Sequence, residues 1–90
     1  MSSMDKKYDR LKNNPKDVTF KELKTILESY GFIFTNYSGG SHFTVSYKIK
    51  GIIDPMEKNS IPFHKPTIKA YYVKIALKWI ERVIANEQPE

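Results

Sequence analysis

The 90-residue chain contains no cysteine, which excludes disulfides, thiolate metal sites and a cysteine nucleophile and makes a reducing compartment the economical expectation. No apolar run approaches the roughly 20 residues that a membrane-crossing helix needs. The opening MSSMDKKYDRLKNNPK carries charge where a secretory leader would have an apolar centre. These absences predict a soluble, cytoplasmic protein with no membrane partner. There is no internal repeat and no low-complexity tract, and the length predicts a single domain around one core. Acidic residues are the scarcer charge, ten against fifteen basic ones, leaving a net charge of +5. That balance suits a polyanion such as RNA or an acidic protein, and equally a solvated lysine-rich surface. The excess is uneven. Residues 1–17 hold five bases against three acids and residues 38–69 five against two, whereas 18–37 and 70–90 are neutral.

What is present divides into recognisable elements. Residues 1–16 can form a short turn of helix before Asn13, Asn14 and Pro15 end it, and are expected as a loosely attached N-terminal arm. In VTFKELKTILESYG, Thr19 and Glu22 have capping-box spacing, with Val18 placed to staple onto Leu23. Phe20, Leu23, Ile26, Leu27 and Tyr30 then make an apolar stripe, and Gly31 supplies a left-handed stop. A helix over about 20–30 follows. From Phe32 the period changes to two: FIFTNY, an SGG turn and SHFTVSYK read as a hairpin. Residues 48–59 are broken by Gly51, Asp54, Pro55 and Asn59, and SIPFH reads as a third short strand whose Pro62 requires an edge position or a missing N–H that faces outward. TIKAYYVKIALKWIERVIAN carries Tyr72, Val73, Ala76, Leu77, Ile80, Val83 and Ile84 on one broad face, with Trp79 at its margin, so a long amphipathic helix closes the chain. The expected divisions are an arm over 1–16, a domain over 17–86 and a fraying tail over 87–90. Helix, three strands and helix predict an α+β fold in which a three-stranded antiparallel sheet carries both helices on one face.

Alternation along the second strand sorts its residues. Phe43, Val45 and Tyr47 point one way and must meet the helices, while His42, Thr44, Ser46 and Lys48 point the other. His42 is therefore expected on the open, polar face. An antiparallel pairing of the second and third strands sets Ile61 and Phe63 with the apolar group and brings Ser60, Pro62 and His64 onto the face of His42. In that register the two histidines and Lys65 form one cluster.

NNPKDVTFKELKTILESYGF, GGSHFTV, IPFH and IKAYYVKIALKWIE, in that order over residues 13–81, resemble the HicA family of bacterial toxin ribonucleases. The most specific part is Gly40-Ser41-His42 at the mouth of the second strand, followed by Ile61-Pro62-x-His64 and by Ile68-Lys69-x-x-Tyr72-Val73-Lys74. The chain departs from the commonest pattern in a longer segment before Ile61 and in having Phe43 where many members carry a second histidine. The resemblance implies a double-stranded-RNA-binding-domain-like αβββα fold, endoribonuclease cleavage of mRNA through His42, and neutralisation by a cognate HicB-type antitoxin.

Metal-free cleavage of RNA needs a base for the 2′-hydroxyl proton and an acid for the leaving 5′-oxygen, and histidine can serve as either. Lys50, Lys65 and Lys69 would hold phosphate and favour neutral imidazole, which assigns His42 as general base. His64 is then either the acid or a polar residue that positions RNA or helps to seat the antitoxin. Ser41 either positions phosphate or starts the strand, and Gly40 either lets backbone approach a phosphate or serves the turn. Tyr37 and Tyr47 are the candidate stacking platforms, with Tyr47 sharing the parity of the core set. Two histidines with the loop carboxylates Asp54 and Glu57 make a poor metal-ligand set at this spacing, so neither metal nor cofactor is expected. No nucleophile elbow is present for a serine hydrolase. The competing class is a non-catalytic RNA-binding module of the same fold, in which His42 is dispensable.

Overall fold

Capping chemistry sets the limits of the helix that organises the fold. In the computed structural model, which describes residues 3–37, 39–62 and 67–87, helix α2 spans Phe20–Ser29. Thr19 Oγ1 accepts a hydrogen bond from the Glu22 amide at 3.1 Å, as the capping-box spacing requires. The reciprocal half of the box is missing, because the Glu22 carboxylate is drawn to Arg10 instead, with Nε at 3.1 Å. At the other end Gly31 adopts φ +102°. Its amide reaches Glu28 O and the Phe32 amide reaches Leu27 O, the paired bonds that stop a helix at a left-handed residue. A β-carbon on Gly31 would stand 3.3 Å from the Tyr47 ring, so glycine there serves both the turn and the ring packed over it.

Among the described residues the chain runs α1 (Ser3–Asn13), a 3₁₀ turn (Pro15–Asp17), α2, β1 (Ile33–Thr35), β2 (His42–Ser46), β3 (Ser60–Pro62) and α3 (Ala70–Glu87). The fold is α+β, with three helices and a three-stranded antiparallel sheet in the order β1-β2-β3. β3 is an edge strand, the position that lets Pro62 be part of a sheet without an amide to donate. Phe34 lies opposite Val45 and Phe43 opposite Ile61, so the apolar residues share one face. The ring of Phe20 on α2 meets Phe34 at 5.8 Å and Phe43 at 5.0 Å between centroids. From α3, the fully buried Val73, Ala76, Ile80 and Val83 join the same core.

The N-terminal segment corrects the sequence-based expectation of a loose arm. Eleven residues form a helix whose Leu11 is completely buried in the main core. Tyr8 Oη donates to Glu81 on α3 at 2.6 Å, and Arg10 holds Glu22 on α2. One leucine and one tyrosine are too few to give a visible apolar period, yet they suffice to dock a short helix between two longer ones. The boundary placed at residue 16 therefore runs through packed structure: Val18, fully buried just beyond the 3₁₀ turn, accepts the Ile68 amide at 2.7 Å.

Residues 48–59 contain no strand. They fold as turns that bury Ile52 and are tied to α3 by Glu57. The Glu57 carboxylate accepts from Arg82 Nη1 at 2.6 Å, from Arg82 Nη2 at 3.0 Å and from Trp79 Nε1 at 3.0 Å. Trp79, expected at the margin of the helix stripe, is instead 1% exposed, its indole N–H satisfied by the loop. Arg82 also donates to Ile52 O at 2.9 Å.

Candidate active site on the open sheet face

Strand parity places the second residue set of the sheet away from the helices. Ile33, Thr35, His42, Thr44, Ser46, Ser60 and Pro62 form this face by register. His42 and Ser46 are exposed and Thr35, Thr44, Ser60 and Pro62 half-buried. The face has no acidic side chain along these strands, and a row of hydroxyls crosses its centre because Thr35 and Ser60 both lie opposite Thr44.

His42 occupies an unusual position within this face. β1 pairs with Thr44, Val45 and Ser46, whereas β3 pairs with His42, Phe43 and Thr44, so the two outer strands are staggered along β2. Thr44 alone is flanked on both sides. His42 faces Pro62 on one side, and on the other the β1 ladder ends at Thr44. The histidine thus stands exposed at a strand mouth, beyond the end of the β1 ladder and on the face that the alternation in the sequence predicted.

The turn before it is held by Asn36, which the sequence reading did not single out. Its Oδ1 accepts the Gly39 amide at 2.5 Å, and its Nδ2 donates to Gly40 O at 2.6 Å. Gly39 adopts φ +74°, a conformation that glycine adopts at little cost. Gly40 is exposed and Ser41 half-buried, so the two lead directly from the clamped turn to His42. An Asn three residues ahead of a glycine pair is a readable side-chain turn signal. Tyr37, the residue after the clamp, is 81% exposed. Tyr47 is half-buried, its ring 4.6 Å from that of Phe32, in keeping with its core parity.

The lysines chosen for phosphate contact are dispersed. Lys50 lies beyond the far end of β2, beside a small pocket shared with Ser46, Tyr47 and Asp54. From His42 to Ser46 the strand alone spans roughly 13 Å, four steps of about 3.3 Å, so Lys50 is not a neighbour of His42. Lys69 is exposed one residue before α3, where its carbonyl accepts the Tyr72 amide at 3.0 Å. His64 and Lys65, and with them the expected histidine pair, lie outside the described residues. Asp54 and Glu57 are both engaged within the fold: Asp54 Oδ1 accepts the Met56 amide at 2.8 Å, and Glu57 holds Arg82 and Trp79 of α3. Compared with protein-family models, curated proteins and solved structures, the chain matches none.

Proposed function

We propose that this chain is a HicA-type toxin: an endoribonuclease with a double-stranded-RNA-binding-domain-like fold that cleaves mRNA in the cytoplasm and is silenced by a HicB-type antitoxin. One observation carries the reading: an exposed His42 at a strand mouth, directly after a glycine turn clamped by Asn36, on a sheet face free of acidic side chains. In the proposed reaction His42 takes the proton of a 2′-hydroxyl, and that oxygen attacks the adjacent phosphorus. The bond to the 5′-oxygen breaks, and an acid returns a proton to it, leaving a cyclic phosphate and a free 5′-hydroxyl. Ser41 and the Gly40 backbone are assigned to the scissile phosphate and His64 to the acid or to positioning. Lys50, Lys65 and Lys69 are assigned to separate phosphates along the RNA. Tyr37 offers a ring on which a base can stack. The antitoxin covers the open face, since a site of this size is blocked by direct occlusion.

The test is His42→Ala. An exposed strand residue contributes little packing, so stability should change by about 0.5 kcal/mol or less. Cleavage of a long RNA should fall by about 10²–10⁴-fold, and growth arrest on expression should vanish while antitoxin binding persists. Cleavage by wild-type protein should survive EDTA, because the two loop carboxylates are committed to hydrogen bonds within the fold. Full cleavage by a folded His42→Ala variant would leave the RNA-binding module as the function of this fold.

A further inference from the structure

The helical layer contains a second concavity, unrelated to His42. It lies between α1 and α2, encloses about 470 Å³ and is lined by Lys6, Lys7 and Arg10 from one helix and by Lys21, Glu22 and Thr25 from the other, with Ile26 at its floor. That volume lies within the range of about 300–1,000 Å³ seen for ligand sites. Its charges are unbalanced. Glu22 is taken by Arg10, while Lys6, Lys7 and Lys21 have no acidic partner among the described residues. Three lysines without an acidic partner therefore border a hollow that Thr19, Thr25 and the buried Ile26 also line.

We infer that this groove binds an acidic peptide segment of a second protein, carboxylates meeting Lys6, Lys7 and Lys21 and an apolar side chain entering over Ile26. The walls decide between a peptide and a nucleic acid. Single-stranded RNA is held by cations interleaved with aromatic rings on which bases stack, and among the described residues no aromatic side chain lines this groove. An apolar floor has no counterpart in a phosphate backbone but accepts a leucine or methionine. Because α2 packs on the inner face of the sheet through Phe20, the groove belongs to the layer opposite His42. A protein held there leaves the open sheet face uncovered, and the inference stands or falls separately from the proposed cleavage.

The experiment titrates the full chain with a labelled peptide of repeating acidic-acidic-leucine triplets and follows amide shifts by NMR. The expected shifts cluster at Lys6, Lys7, Lys21 and Thr25. The double substitution Lys7→Gln/Lys21→Gln should weaken binding at least tenfold, and Thr25→Trp, which fills the hollow without changing charge, should do the same. Both variants should keep the wild-type melting temperature and RNA cleavage. A peptide with glutamine in place of the acids should bind at least tenfold more weakly. Absence of binding, shifts centred elsewhere, or affinity indifferent to these substitutions would overturn the inference. Displacement of the peptide by oligouridylate with the same lysine dependence would overturn it too, by making the groove an RNA site.

Discussion

Asn36 shows how much a single half-buried side chain can determine. Its amide closes the turn from both directions, binding the Gly39 amide and the Gly40 carbonyl, and the backbone it fixes delivers His42 two residues later. Each such bond adds about 0.5–1.5 kcal/mol net, and solvent competes for both, since the bonds themselves are exposed. Asn36→Ala should therefore lower stability by only about 1 kcal/mol. Its effect on the proposed cleavage should be larger than its effect on the melt, about tenfold or more, since a displacement of about 1 Å at the reacting groups can cost 10²-fold. Equal loss of stability and rate would mean that the turn supports the fold alone. Measuring cleavage and thermal melts on one preparation separates the two. Tyr37 belongs to the same scale. Being 81% exposed, it can be replaced by alanine with little change in stability, and weaker RNA binding after Tyr37→Ala would mark it as a stacking platform.

At the scale of elements, two contacts hold the flanking segments to α3, and they respond to opposite ends of the pH range. Glu57 has its pKa lowered from 4.5 to about 2, chiefly by the hydrogen bonds from Arg82 and against the opposing effect of burial. A carboxyl group more acidic in the folded protein contributes stability that is fully present above pH 4.5 and is lost as pH falls toward 2. Tyr8 has its pKa raised from 10 to about 12, chiefly by its hydrogen bond to Glu81. The stability linked to it is fully present below pH 10 and is lost as pH rises toward 12. Melting temperature measured across pH should fall at both ends. Glu57→Gln should flatten the acid limb and cost about 1–3 kcal/mol at neutral pH, the range expected when a partly buried donor loses its charged acceptor. Tyr8→Phe should flatten only the alkaline limb. An unchanged acid limb in Glu57→Gln would show that other carboxylates dominate acid unfolding.

These same elements separate what is legible in a sequence from what is not. Helix α2 can be read from both its ends, because Thr19 and Gly31 act through backbone chemistry within a few residues. The sheet can be read from its alternation, because Phe43, Val45 and Ile61 must share a face whatever the rest of the chain does. α1 is hidden because its docking rests on Leu11, Tyr8 and Arg10 finding partners on other helices, and no local period encodes that. Trp79 and Arg82 are hidden for the same reason: their partner Glu57 is more than 20 residues away in a loop without periodicity. His42 could be placed on the correct face from parity, but its position beyond the β1 ladder could not, since the stagger of β1 against β3 depends on the lengths of two connections. Lys50 looked close to His42 in a list of basic residues and is separated from it by the length of a strand.

For the whole molecule, the +5 charge becomes a measurable property only through its distribution. Lys50 and Lys69 are dispersed along the chain rather than gathered at His42, so the proposed RNA complex should depend on salt through a few separate contacts. Each phosphate neutralised on a single strand contributes a slope of about −0.7 in log K against log salt. Lys50, Lys65 and Lys69 together predict a slope of about −2. Lys50→Gln should make it shallower by about 0.7 while leaving the rate of cleavage at saturating RNA unchanged. A slope near zero, or a loss of saturated rate in Lys50→Gln, would contradict that arrangement. The proposed antitoxin belongs to this scale as well. A complex that left the face of Thr35, Thr44 and Ser60 accessible to solvent would contradict occlusion as its mode of inhibition.

Among the described residues the outer strands β1 and β3 are three residues each, and β3 includes a proline. Edges that short present few unpaired amides and carbonyls to another chain, and Pro62 removes a donor from one of them. Strand-by-strand growth into aggregates is thereby discouraged. Under the proposed occlusion by an antitoxin, release of the inhibitor would uncover a sheet face but little edge along which further copies could stack.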